Sequence, residues 1–96
     1  LADKEVERLA TLFMFFVYAI YNQKYKKVYI GQTEDIDTRL RAHNTKEFKS
    51  SYTARFDGEW KLIYKESLPS RNEAIRREKQ LKSYQGRMFL KQYIPQ

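Results

Sequence analysis

Residues 14–21, Met-Phe-Phe-Val-Tyr-Ala-Ile-Tyr, are apolar or aromatic at every position. A strand with one wet face alternates polar and apolar side chains, so a run apolar on both alternating faces marks a central strand covered on both sides. Val17, Tyr18, Ile20 and Tyr21 supply the β-branched and aromatic content that favours extended backbone. The polar stretch 22–27 then turns the chain, Val28-Tyr29-Ile30 resumes strand character, and Gly31 is expected to break it. This reads as a β-hairpin, which places Tyr18 and Tyr29 on neighbouring strands.

Trp60 to Glu66 sets Trp60, Leu62 and Tyr64 against Lys61, Ile63 and Lys65, a third strand with one face more buried than the other. Helices must cover this sheet. Thr33 is expected to cap the first, with Glu34, Asp35 and Asp37 in its opening turn, where the helix dipole favours carboxylates. Ile36 and Leu40 form its buried stripe, and Arg39 and His43, four apart, share a neighbouring face. Residues 44–58 read as a long polar loop with a short turn near Tyr52. Ser70 and Glu73 make a capping box for a second helix running to about Tyr84, which Gly86 is placed to end, and residues 87–93 suit a short last helix. A chain of 96 residues has room for one domain, placed at 14–96. Residues 1–13 read as an N-terminal extension, either a short amphipathic helix with Val6, Leu9, Ala10 and Phe13 at helical spacing or a segment foreign to the working protein, since Met14 stands directly before the first strand.

With no cysteine, disulfide frameworks, thiolate zinc sites and thiol catalysis are all excluded. The longest apolar run, Leu12 to Tyr21, falls well short of the about 20 residues a bilayer requires, and Asp3, Glu5 and Glu7 precede it where a secretory signal would be basic. A soluble, cytoplasmic protein with no membrane partner is expected, and a monomer. The net charge is +7, unevenly spread: residues 1–48 carry 8 basic and 7 acidic side chains, residues 49–96 carry 11 and 5. Such an excess favours a polyanion through counterion release, and nucleic acid is the common one.

Ala74, Glu78 and Leu81 are spaced i, i+4, i+7 and line one helix face, so a carboxylate stands where an apolar side chain belongs. Burying it unpaired costs several kcal/mol, so Glu78 needs a metal ion or a basic side chain; both readings stay open. Phosphodiester hydrolysis requires an activated water and cations to take up phosphate charge. Glu78 can hold one Mg²⁺ or Mn²⁺ with water completing its shell, and Arg39 offers a planar charged fork for phosphate oxygens. A phenol can serve as general base only if a nearby cation lowers it from about 10. Taken singly, each residue has an ordinary structural explanation.

Together they form a pattern. Val17-Tyr18, followed by Tyr29-Ile30-Gly31, resembles the paired strands that name the GIY-YIG nuclease family. Gly31-Gln32-Thr33 with Arg39-Leu40 and His43-Asn44 is similar to that family's first helix, Trp60 to Tyr64 to its third strand, and Arg71 to Leu81 with Arg77-Glu78-Lys79 to its metal-binding helix. The likeness runs in one chain order from about Phe15 to Leu90. It implies an α/β fold of the α+β type, a small three-stranded antiparallel sheet flanked by helices, and single-metal phosphodiester cleavage. It implies Glu78 as metal ligand, Tyr18 and Tyr29 at the water and scissile phosphate with one as base, and Arg39 on the pentacovalent phosphate. His43 and Tyr52 match helper positions. The side chains expected to meet the polyanion are Arg39, Arg41, Lys49, Arg77, Lys82 and Arg87.

Two departures stand out. The first motif's glycine is replaced, leaving Phe16-Val17-Tyr18, and the asparagine some members carry near the C-terminus has no counterpart in Ile94-Pro95-Gln96. Without a separate reading domain, low sequence specificity is expected, on double-stranded, branched or single-stranded DNA, in repair, recombination or mobile-element processing. The alternative is a non-catalytic nucleic-acid-binding module on the same fold. Retention of Tyr18, Tyr29, Arg39 and Glu78 together favours the enzyme.

Overall fold

The computed structural model describes residues 14–47 and 49–96; the helical spacing of residues 3–11 lies outside them. Strands β1 (Phe15–Asn22), β2 (Lys27–Thr33) and β3 (Trp60–Leu68) form one antiparallel sheet in the order β2-β1-β3. The all-apolar run therefore becomes the middle strand, with Val17, Tyr18, Ala19 and Ile20 fully buried. The pleat sends its side chains alternately to two cores. Val17 and Ala19 join Ile30, and helices α2 (Arg71–Lys82) and α3 (Tyr84–Leu90) cover them with Ala74, Leu81 and Leu90. On the opposite face Tyr18 and Ile20 pack with Ile36 and Trp60, and Leu40 of helix α1 (Ile36–Thr45) closes over them.

Gly31 does not break the second strand, which continues to Thr33 with Tyr18 directly opposite Gly31. Ladder pairing to a central strand outweighs the weak strand preference of one glycine. The cap of α1 also differs from the expectation. Asp35, not Thr33, accepts the Thr38 backbone N–H at 3.2 Å, while the Thr33 hydroxyl accepts from the Asp35 N–H at 3.1 Å. A carboxylate satisfies an exposed helix N-terminus better than a hydroxyl and also complements the dipole.

The Ser70 cap is as the sequence predicts, with Ser70 Oγ accepting from Glu73 N–H at 3.2 Å. Gly86 behaves differently. Helix α2 stops at Lys82, and Ser83 both ends it and caps α3, which starts at Tyr84 and contains Gly86. A Cβ on Gly86 would lie 2.2 Å from the Gln80 carbonyl oxygen, so glycine is required for the two helices to touch backbone to backbone. The long loop is tied down rather than free. Asn44 clips α1 to β3 through two hydrogen bonds with the Trp60 backbone (2.8 and 3.0 Å), and buried Asn22 donates to the Asp57 carbonyl at 2.9 Å. A 3₁₀ turn, Thr53–Arg55, forms near the position expected around Tyr52.

Candidate active site

The site is assembled on the α1 side of the β1–β2 ladder. Because Tyr18 and Gly31 are register partners, the Tyr18 ring can lie flat across β2 only if Gly31 carries no side chain: an added Cβ would sit 2.8 Å from Tyr18 Oη and 3.0 Å from Tyr29 Cε2. The ring so placed reaches His43, whose Nε2 is hydrogen-bonded to Tyr18 Oη at 2.8 Å. His43 Nδ1 is hydrogen-bonded to Thr53 Oγ1 at 2.8 Å, and Thr53 in turn lies 3.2 Å from Ser51 Oγ. Tyr18, His43 and Thr53 are all buried. Their chain draws on a strand, a helix and the 3₁₀ turn, which explains why the loop is ordered here. Thr53 was not foreseen from sequence; its spacing from His43 carries no periodic signal.

Electrostatics fix the resting protonation. Burial disfavours a phenolate, and the neighbouring Tyr29 and Glu78 push the same way, so Tyr18 is pushed up to about 12 although the Arg39 guanidinium beside it pulls it down. His43 is lowered to about 4, first by burial and then by the positive charge of Arg39. At neutral pH the pair is therefore a neutral phenol hydrogen-bonded to a neutral imidazole, with one permanent cation next to it. Arg39 and His43 project from the same face of α1 one turn apart, as their spacing predicts.

Around this pair the aromatic rings form a continuous array. Tyr29 packs 6.3 Å from Tyr18 and 5.0 Å from His43, centroid to centroid. Its other side stacks on Tyr52 at 6.3 Å with only 20° between the planes, and Tyr52 rests against Phe56 at 5.2 Å. Tyr18, Tyr29, Arg39, His43 and Tyr52 are thus brought together.

Glu78 arrives from the other side of the sheet. Ala74 and Leu81 are buried, as the helical spacing requires, but Glu78 between them keeps 20% of its side chain exposed. Its Oε2 accepts from Lys82 Nζ at 2.7 Å, one turn on, so a basic partner is present. The carboxylate is still close enough to Tyr18 for its charge to act on the phenol. Among the described residues no three His, Cys, Asp or Glu side chains gather as a ligand set. A lone, part-exposed carboxylate does not suit zinc, which takes three or four protein ligands. It does suit Mg²⁺ or Mn²⁺, which keep most of their water and need one or two carboxylates.

The expected polyanion contacts divide. Arg39 lines a groove of about 620 Å³ together with Gln32, Thr38, Glu47 and Arg71. Arg71 is not among the contacts expected from sequence, although it lies seven residues before Glu78 and so on the same helix face. Lys82 and Arg87 line a second cleft with Tyr29 and Tyr52. Arg41 and Lys49 are exposed. Arg77 is turned elsewhere: its Nε lies 3.2 Å from Glu66 Oε1 on β3, and its guanidinium lies over Phe89.

The profile of the GIY-YIG catalytic domain matches residues 14–92. Among solved structures, the solution NMR structure of a UPF0213 protein from Bacillus halodurans is similar at 29% identity over 80% of this chain and 81% of that one, with a TM-score of 0.47. No curated protein matches the chain. No helix of the described residues is long and apolar enough to cross a membrane.

Proposed function

The chain belongs to the GIY-YIG family of nuclease domains, and from that premise we propose that it is a divalent-metal-dependent endonuclease cleaving DNA phosphodiesters with little regard to sequence. The observation carrying this reading is the buried Tyr18 phenol, hydrogen-bonded at 2.8 Å to His43, with Arg39 beside it and the Glu78 carboxylate in range. Arg39 is placed to take up phosphate charge as it grows in the transition state. Glu78 would hold Mg²⁺ or Mn²⁺ in exchange for its bond to Lys82. The ion supplies Lewis-acid polarisation of the phosphate and water of lowered pKa.

Burial pushes the Tyr18 phenol up and holds the His43 imidazole down, so both shifts disfavour a standing phenolate–imidazolium pair. A relay avoids that state. In the tautomer with the proton on Nδ1, donated to Thr53, His43 Nε2 accepts from Tyr18. The phenol oxygen takes the proton of the attacking water as its own proton passes to Nε2. The new oxygen–phosphorus bond forms as the bond to the leaving oxygen breaks; the leaving oxygen takes a proton from solvent water, and His43 holds the proton of the attacking water only until it returns it through Tyr18 to solvent. An incoming phosphate offsets the charge of Arg39 and so makes His43 a better acceptor.

Incubation of the purified protein with plasmid, branched and single-stranded DNA, in Mg²⁺, Mn²⁺ or EDTA, tests the reading. Cleavage with metal, its loss in EDTA and its loss in a folded Glu78→Ala variant are expected. Equal cleavage by Glu78→Ala would overturn the assignment.

A further inference from the structure

Separate grooves are lined by Arg39 and by Tyr29 of the site, and their charged linings differ. The groove beside Arg39 also carries Glu34, Asp35 and Glu47. On the far side of Tyr29, two adjoining clefts of about 240 and 370 Å³ share Val28, Tyr52 and Arg87. Their charged lining is entirely basic: Lys26, Lys27, Lys82, Arg87 and Lys91. In the first groove Arg39 and Arg71 are outnumbered by three carboxylates, whereas the second lining is wholly basic, so a polyanion leaving the site is drawn along the second side.

Tyr52 stands where the two basic clefts join, with 40% of its surface exposed. Its ring is held from behind, stacked on Tyr29 and braced by Phe56, so it is a preformed flat platform and little ordering remains for a ligand to impose. A flat aromatic face flanked by cations is the arrangement that grips unpaired nucleotides, with bases stacked and phosphates on Lys and Arg. A duplex cannot use such a platform, because its bases already stack on one another.

We propose that this basic track holds an unpaired DNA strand next to the scissile phosphate. One base stacks on Tyr52, and phosphates lie along Lys27, Arg87 and Lys91. The proposal rests on the nuclease reading and names its substrate class, single-stranded or flapped DNA. It gives the Tyr52 ring the role of positioning the strand.

Binding in EDTA separates the track from the chemistry. A short labelled single strand is expected to bind the protein more tightly than the matching duplex, and a 2-aminopurine in it to be quenched on binding. Tyr52→Ala should weaken single-strand affinity about ten-fold and abolish the quenching, leaving duplex affinity unchanged, and Tyr52→Phe should restore both. Lys27→Gln and Lys91→Gln, both on the surface, should each lower the salt slope for single strands by about 0.7. Unchanged affinity and quenching in Tyr52→Ala, or unchanged salt slopes, would overturn the proposal. If single strands bind in this pattern and no metal supports cleavage, the nuclease reading fails while the track stands.

Discussion

Gly31→Ala joins fold to chemistry through one methyl group. Gly31 does not adopt positive φ. Alanine there should by itself stabilise the protein by about 0.4–1 kcal/mol, through the lower entropy of the unfolded chain. The packing reverses the sign. The new Cβ would lie 2.8 Å from Tyr18 Oη and 2.9 Å from its Cζ, against 3.4 Å for an ordinary contact, so the phenol must give way by roughly 0.6 Å. It is buried and held by His43, and a shift of that size compresses or breaks their 2.8 Å bond. Overpacking of this kind costs about 1–3 kcal/mol. The net loss is then about 1–2 kcal/mol, or roughly 5–15 °C in melting temperature for a domain this small. Cleavage should fall about 100-fold, since reacting groups displaced by a fraction of an ångström lose their alignment. Thermal denaturation followed by circular dichroism and single-turnover cleavage read the two effects. A variant as stable and as active as the parent would refute the argument that Tyr18 lies against Gly31.

Burial holds His43 at about 4, against 6.5 ordinarily, so between those values the unfolded chain takes up a proton that the folded chain refuses. Stability is therefore full above pH 6.5 and declines as pH falls toward 4, by up to about 3 kcal/mol from this group. Urea denaturation of parent and His43→Gln across that range should show a steeper decline in the parent. Arg39→Ala should lower single-turnover cleavage about 10²- to 10³-fold. It should also raise the His43 titration midpoint read by NMR, because a repelling charge is gone. Gly86→Ala places a methyl group 2.2 Å from backbone oxygen and should cost about 3 kcal/mol or more, read as a large drop in the urea midpoint.

Where a residue's role is fixed by its own periodicity, the sequence revealed it. The unbroken apolar run at 14–21 could only be a two-sided strand, and Ser70 with Glu73 announced the start of α2. Arg39 and His43 were placed on one face by spacing alone. What escaped was set by contacts distant in sequence. Gly31 and Gly86 read locally as breaks, yet each is demanded by a partner surface, the Tyr18 ring and the end of α2. Thr53 matters because the loop folds its hydroxyl onto His43, ten residues earlier. For Glu78 the sequence required a cation without choosing among candidates. The structure supplies Lys82, with which the proposed metal ion would compete for the carboxylate.

Tyr18→Phe removes the one oxygen that, in the proposed mechanism, relays the proton of the attacking water. The ring, its packing over Gly31 and the charges of Arg39 and Glu78 all remain. Single-turnover cleavage with saturating protein and Mg²⁺ should fall about 10²- to 10⁴-fold, while DNA affinity measured in EDTA stays within about two-fold of the parent. Cleavage at the parental rate by Tyr18→Phe would rule out the Tyr18 relay.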